Sequence, residues 1–344
     1  MKKNTTFLLV LLAIGLFIFL GIMFGQATQK MAVVDSSKNV CAVSMTAIIE
    51  SAQGDVYGAD ESSESDGEDA DYEETEAHYL AVYSVDGSEI TNAVFDSVPA
   101  DLKDEQQDTD LQAKAWDIFT ELIPLQDRQM VAQYNVFTDG YSNTLAAVDQ
   151  LKDDPSAWVL EMDIADLDDT ESLLFTMVHE YAHLLTLNAS QVTPDQEIVD
   201  NPTNWAMLER KAAACPNYFT GTGCSHADSY INVFYNRFWL DVADEWEKVD
   251  ALQYGPDADT PFAEDQNPYY GGLHDFYLAH QDQFLDDYST THPAEDIAEA
   301  FAYFVFSPRP TGTSIKEQKV AFFYEYPELI ELRESILSGA CSLD

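Results

Sequence analysis

Two histidines four residues apart, His179 and His183, stand in a strongly apolar segment, and Glu180 directly follows the first of them. The surrounding residues 173–185 favour a buried helix. Side chains four residues apart lie on the same face of a helix, so both imidazoles can bind one metal ion. A carboxylate beside such an ion can accept a proton from activated water. This His-Glu-x-x-His set therefore predicts a zinc hydrolase in which His179 and His183 bind the metal and Glu180 is the general base.

A catalytic zinc ion needs a third protein ligand and an open fourth position for water. Glu295 and Glu299 lie four residues apart in a second predicted helix that begins at Pro293. One of these carboxylates can bind the metal, and the other can accept a hydrogen bond from a ligand histidine. His292 is an alternative ligand, but it precedes Pro293 and lies outside the helix. Asp296 is another alternative, but it has no carboxylate partner at the matching spacing.

Together these residues resemble the gluzincin metallopeptidases. Tyr288 stands seven residues before Glu295, and the helix reads Glu-Asp-Ile-Ala-Glu-Ala-Phe. This finer pattern resembles the catalytic-domain family of anthrax lethal factor, which includes the Pro-Pro endopeptidases. The resemblance covers about residues 170–190 and 285–305. It implies that Glu295 is the third zinc ligand, that Glu299 supports a ligand histidine, and that Tyr288 donates its phenol to the developing oxyanion.

The expected fold class is α+β, and the resemblance implies a zincin-like arrangement with a small mixed sheet, an active-site helix and a mostly helical C-terminal half. Periodicity predicts strands at 79–85, 89–95, 130–137 and 158–164, and helices at 108–125, 143–151, 293–302 and 314–337, the last broken at Pro327. The strand at 158–164 is expected either to edge the substrate cleft or to lie in the core. The segment between His183 and Glu295 is longer than in the lethal factor domain, which predicts an insertion around 190–285 and leaves substrate preference open.

The N-terminus predicts a membrane anchor. Lys2 and Lys3 precede an uncharged apolar run at residues 7–25, which is about long enough to span a bilayer. The lysines favour a cytoplasmic N-terminus, with everything after residue 30 outside the cytoplasm. We therefore expect residues 1–30 to anchor the protein, or to be a signal that is cleaved near Gly25-Gln26-Ala27 and releases it.

Residues 31–76 are expected to form an acidic, largely disordered tether, and residues 77–344 the metallopeptidase domain. The run at 55–76 contains no basic residue and little that could be buried. An alternative depends on Cys41. If Cys41 pairs with Cys341, the apolar segment at 40–49 belongs to the folded body, and the acidic run is an insertion.

The four cysteines indicate two structural disulfides, which form in an oxidising, extracytoplasmic compartment. Cys215 and Cys224 flank a turn-rich segment, while Cys41 and Cys341 lie near the two ends of the extracytoplasmic part. Four cysteines allow three pairings, and their spacing alone does not choose among them.

The charge balance limits the partners. The chain has 62 acidic and 16 basic residues, a net charge of −46, and so it repels nucleic acid and anionic lipid surfaces. We expect one zinc ion per chain, a peptide or protein substrate, and membrane contact only through the N-terminal helix. The alternative function is a zinc-stabilised cell-surface binding protein without protease activity. Glu180 and Tyr288 argue against it, because a structural zinc site needs neither.

Overall fold

A computed structural model describes residues 44–54, 77–140, 144–253 and 267–343. The predicted anchor at 1–30, Cys41 and the acidic run at 55–76 lie outside these residues. Within them, no helix combines the length and the apolar composition that crossing a membrane requires.

The chain has the predicted α+β class, with a mixed five-stranded sheet. Its strands are β1 His78–Asp86, β2 Glu89–Phe95, β3 Val131–Thr138, β4 Ala146–Leu151 and β5 Asp154–Asp163, arranged in the order β2-β1-β3-β5-β4. Only β3 and β5 are parallel neighbours, and the other pairs are antiparallel. The predicted hairpin of β1 and β2 is confirmed. Gly87, with a φ of 65°, occupies its tight turn, where a residue with positive φ is required.

The prediction of a helix at 143–151 was wrong. Its described part contains β4, which pairs with β5 and has alternately buried side chains, with Ala146 and Val148 inside. Alanine and leucine favour helices locally, but pairing with a buried neighbour overrides that preference. Because β4 forms the edge of the sheet, β5 is an interior strand, and the predicted strand at 158–164 is a core strand rather than the rim of a cleft.

Helices dominate the C-terminal half, as predicted. The described residues contain twelve α-helices: α1 Met45–Gly54, α2 Lys103–Gln107, α3 Thr109–Leu122, α4 Thr170–Leu187, α5 Gln196–Asp200, α6 Trp205–Ala214, α7 Tyr230–Phe238, α8 Ala243–Asp250, α9 Pro268–His280, α10 Pro293–Phe306, α11 Ile315–Phe322 and α12 Pro327–Ala340. A second sheet of two short strands, β6 Val192–Pro194 and β7 Gly223–Ser225, lies within the predicted insertion.

The core is built around α4 and α10, which pack against each other. Of the 18 residues of α4, 14 are buried, and only one of the 14 residues of α10, Glu295, is not fully buried. A helix that is apolar on all sides must be covered on all sides. Both helices are therefore held rigidly, and α4 also contacts the edge strand β4.

Helix α1 belongs to the folded body. Its Ile48 has no exposed surface, and the helix packs against α4 and α10. Cys341, which follows α12, is disulfide-bonded, while its expected partner Cys41 lies outside the described residues. The position of α1 supports the alternative in which the acidic run at 55–76 is an insertion into the domain rather than a tether before it.

A buried carboxyl group lies on the sheet face opposite the central core. Glu161 on β5 is only 6% exposed. Its carboxyl oxygens accept hydrogen bonds from the Tyr79 phenol at 2.9 Å and the Asn135 amide at 2.6 Å. Burial raises the pKa of Glu161 from 4.5 to about 7, and these two hydrogen bonds only partly offset that effect. The folded protein therefore holds a proton on Glu161 more tightly than the unfolded chain does.

We expect this group to make folding stability fall as pH rises. The destabilisation is absent below about pH 4.5, where Glu161 is protonated in both the folded and the unfolded protein. It is complete above about pH 7, where the buried carboxyl group must ionise. Glu161→Gln, which mimics the neutral acid, should raise the free energy of unfolding by up to about 3 kcal/mol at pH 8 and change it little at pH 4. Urea denaturation across this pH range is the measurement. Exposed Glu89→Gln is the control, and equal effects of the two substitutions would contradict the prediction.

Candidate metal centre

The elements that carry the centre begin with well-formed caps. The carboxylate of Asp169 accepts a hydrogen bond from the backbone N–H of Ser172 and so caps α4. His292 caps α10, because its Nδ1 accepts a hydrogen bond from the Ala294 N–H at 3.1 Å, and Pro293 follows in the first turn. Capping and packing together hold the first turn of α10, with Glu295, against the middle of α4.

Three potential ligand atoms converge at one point. Glu295 Oε2 lies 3.0 Å from His179 Nε2 and 3.2 Å from His183 Nε2, and the two nitrogens are 3.2 Å apart. A tetrahedral zinc ion with ligands at about 2.0–2.1 Å requires ligand atoms about 3.3 Å apart. The triangle therefore fits three corners of such a tetrahedron. Both histidines are buried, and the Glu295 side chain, 15% exposed, is the most exposed of the three.

Glu299 fixes the orientation of the first histidine. Its Oε1 lies 2.8 Å from His179 Nδ1. The Nδ1–H therefore donates to this carboxylate, which leaves the lone pair of Nε2 directed at the shared point. Burial and the nearby charge of Asp286 raise the pKa of Glu299 to about 8. A positive charge at the centre favours the ionised form of Glu299.

Two glutamates compete for the role of third ligand. Glu180 also lies close enough to both histidines to form a three-residue metal-binding group with them. The Glu295 oxygen, however, directly contacts both ring nitrogens at hydrogen-bonding distance. The Glu180 carboxylate instead accepts a hydrogen bond from the backbone of Val148 on β4, and burial raises its pKa. We assign Glu295 to the triangle and Glu180 to the space beside it.

Tyr288 faces the same point from a short 3₁₀ turn, Tyr288–Thr290, just before α10. Its phenol donates a hydrogen bond to Glu295 Oε2 at 3.0 Å, and its ring lies 5.8 Å from that of His179. Burial and the neighbouring carboxylates raise the pKa of Tyr288 well above its usual value. The phenol therefore remains protonated and can act as a hydrogen-bond donor.

The carboxylates and histidines of the triangle shift each other's pKa values. Burial alone would raise the pKa of Glu295, but His183 and His179 lower it well below its usual range. Burial alone would also lower the pKa of His179, whereas Glu295 and Glu299 raise it well above its usual value. Positive charge at the centre therefore stabilises the ionised carboxylates. A proton on a histidine or a divalent metal ion can supply it.

Comparison of the chain with protein-family models, with curated proteins and with solved structures finds no match.

The other candidate residues lie close by but take different roles. His292 is engaged as the cap of α10, with its Nε2 3.5 Å from the Tyr218 phenol, and it is not part of the triangle. The predicted disulfide Cys215–Cys224 is present, with a Cα–Cα distance of 5.5 Å. It closes the loop that carries Tyr218, within the segment predicted to be an insertion.

Sequence reasoning missed a buried ion pair behind the centre. Asp296, the residue after Glu295, accepts a hydrogen bond at its Oδ2 from Trp239 Nε1 at 2.7 Å, and the same oxygen forms an ion pair with Lys319 Nζ, also at 2.7 Å. The Lys319 side chain has no exposed surface, and its Nζ lies 3.8 Å from the centre of the Phe284 ring. The only available signal was a lysine beside the apolar segment at 320–323, and nothing in the sequence connects it with Asp296. The pair anchors the first turn of α10, which carries Glu295.

Breaking this pair should cost far more than breaking an exposed one. Burial lowers the pKa of Lys319 and raises that of Asp296 to about 6. The cost of burying both charges offsets most of their attraction, so the pair contributes little net stability. Removing one partner, however, leaves an unpaired charge in the core. We expect Lys319→Met to lower the free energy of unfolding by about 3–5 kcal/mol. Adding Asp296→Asn should recover part of that loss.

The control is Arg237→Met, which removes the exposed pair with Glu325 and should cost about 1 kcal/mol or less. Chemical denaturation of the three variants measures these differences. Equal costs for Lys319→Met and Arg237→Met would show that the buried pair does not anchor α10.

Proposed function

We propose that the protein is a zinc-dependent endopeptidase of the gluzincin type with a zincin-like fold. The observation that supports this most strongly is the triangle of His179, His183 and Glu295, with Glu180 and Tyr288 beside it. A structural metal site requires only the ligands. Hydrolysis of a peptide bond also requires a general base and a hydrogen-bond donor for the oxyanion, and Glu180 and Tyr288 would supply them.

His179, His183 and Glu295 would hold the ion, and Glu299 would support His179. A zinc ion bound there supplies Lewis acidity, which lowers the pKa of a water molecule and polarises a carbonyl group. The protein's own contribution is a rigid set of donors, since α4 and α10 are buried along almost their whole lengths. It also keeps one side open, where Glu295 is partly exposed.

Glu180 would act as general base and then as general acid. Its carboxylate would accept a proton from the attacking water and pass that proton to the leaving amine. Burial raises the pKa of Glu180, which makes it a stronger base than an exposed glutamate. A backbone hydrogen bond from Val148 acts in the opposite direction and lowers this pKa, but less than burial raises it.

Tyr288 would stabilise the oxyanion that forms as water attacks the scissile carbonyl. Its phenol now donates to Glu295 Oε2, at the same point toward which the three ligand atoms converge. The raised pKa of Tyr288 keeps the proton on the phenol at neutral pH. In the transition state the phenol would exchange its present acceptor, Glu295 Oε2, for the oxyanion of the substrate.

The substrate would be a peptide or protein segment in an extended conformation. β4 is the edge of the sheet beside α4, and its Val148 contacts the Glu180 carboxylate. An extended peptide could pair with the free side of such an edge strand, which would place its carbonyl groups beside the general base. The net charge of −46 makes nucleic acid an improbable partner.

The proposed compartment is extracytoplasmic. The Cys215–Cys224 disulfide supports it, because disulfides persist mainly in oxidising environments. The apolar run near the N-terminus would anchor the chain to the membrane or, if cleaved, direct its secretion.

The decisive experiment compares Glu180→Gln with the wild type. Zinc content should stay near one per chain in both, whereas cleavage of a randomised peptide library should fall about 10²–10⁴-fold, because only the general base is lost. Glu171→Gln, in the first turn of the same helix, is the control and should retain full cleavage. Zinc in the wild type without any cleavage would favour the binding-protein alternative. Absence of zinc from the wild type would refute the proposal.

The third ligand can be tested separately by competitive zinc titration. Glu295→Gln should weaken zinc binding the most, because it removes a ligand. Glu299→Gln should weaken it about 10–100-fold, because it removes only the support of His179. If Glu180→Gln weakens binding instead of Glu295→Gln, Glu180 is the ligand and the assignment of the two glutamates is reversed.

A further inference from the structure

The loop closed by Cys215 and Cys224 reaches the side of the metal centre. Tyr218 lies within this loop, and its phenol oxygen is 3.5 Å from Nε2 of His292. His292 is three residues before Glu295 and interacts electrostatically with both Glu295 and His183. The inserted segment therefore brings a second phenol, besides that of Tyr288, to the neighbourhood of the ligands.

The position of Tyr218 is fixed by its backbone as well as by the disulfide. Its N–H donates to Asn232 Oδ1 at 3.0 Å. Its carbonyl oxygen accepts hydrogen bonds from the N–H of Ser225 at 3.0 Å and from the hydroxyl of Ser225 at 2.6 Å. The ring stacks on that of Tyr235, with centroids 4.0 Å apart and planes inclined by 17°. Four contacts thus hold the phenol in one place before any ligand arrives.

The hydrogen bonding of His292 determines which way the phenol can donate. Nδ1 of His292 accepts the Ala294 N–H, so the proton of the neutral ring is on Nε2. Nε2–H must therefore donate to the Tyr218 oxygen, and the phenol cannot donate back to the same nitrogen.

The phenol proton of Tyr218 is consequently available for another acceptor. Among the residues that the structure describes, no oxygen or nitrogen acceptor other than Nε2 of His292 lies within hydrogen-bonding distance of it. Tyr218, His292, Tyr288 and Glu295 are all partly exposed, whereas His179 and His183 are buried. Tyr218 and Glu295 are thus both partly accessible to solvent.

We propose that Tyr218 is a substrate-binding residue whose phenol donates a hydrogen bond to a backbone carbonyl oxygen of the peptide bound at the metal centre. The inference rests on the proposed peptidase function. The disulfide loop would thus supply a hydrogen-bond donor, the Tyr218 phenol, that α4 and α10 do not provide. A carbonyl acceptor is present in every peptide, so this contact would fix the register of the peptide rather than select a side chain.

The test uses the zinc-loaded full-length protein and the internally quenched peptide that the wild type cleaves best in a randomised library. Tyr218→Phe keeps the stacked ring and removes only the hydroxyl. We expect KM to rise about 5–10-fold, as loss of one hydrogen bond predicts, with kcat changed less than about twofold and with unchanged zinc content and Tm. Tyr230→Phe is the matched control in the same inserted segment, because its phenol bonds to Glu328 instead, and it should retain the wild-type KM.

The outcomes separate this inference from the proposed function. If the wild type binds zinc but cleaves no peptide, the proposed function fails and the role of Tyr218 fails with it. If the wild type cleaves and Tyr218→Phe behaves like Tyr230→Phe, only the role of Tyr218 is refuted. A fall in kcat at constant KM would assign the phenol to a chemical step, and a loss of zinc or a lower Tm would assign it to the fold. Either result would overturn the substrate-binding role.

Discussion

The contact between α4 and α10 is the interaction on which the centre depends. Each helix alone offers only part of a site: α4 carries two imidazoles, and α10 carries a carboxylate. Their packing brings Glu295 Oε2 within 3.0–3.2 Å of both histidine nitrogens. Such a triangle tolerates little movement, because metal–ligand distances vary by only about 0.2 Å. The near-complete burial of both helices supplies that rigidity.

Burying so many polar groups requires compensation, and the neighbouring elements supply it. Glu299 pairs with His179, Asp296 pairs with Lys319 and Trp239, and the Val148 backbone donates to Glu180. Each contact gives a buried polar group a partner and at the same time fixes the position of a helix turn or a side chain. The acidic character of the surface is a separate property. A net charge of −46 favours hydration of the surface and does not enter the geometry of the centre.

The segment predicted to be an insertion also contributes residues to the surroundings of the centre. Its disulfide loop places Tyr218 against His292, and α7 supports the loop through Asn232 and the stacked ring of Tyr235. The two phenols approach the centre from different elements. Tyr288 belongs to the turn before α10, whereas Tyr218 comes from a loop 70 residues earlier. Under the proposed function, this division would let the disulfide loop adjust substrate binding without altering the ligands.

Local sequence was sufficient for features that depend on periodicity. The same-face placement of His179 and His183, the start of α10 at Pro293 and the β1–β2 hairpin follow from helix pitch, proline geometry and turn chemistry. Tertiary structure alone decided what depends on distant contacts. Glu295 contacts His179 across 116 residues, and β4 is a strand only because β5 pairs with it. Likewise, Lys319 with Asp296 and Tyr218 with His292 are brought together by packing, which no local pattern encodes.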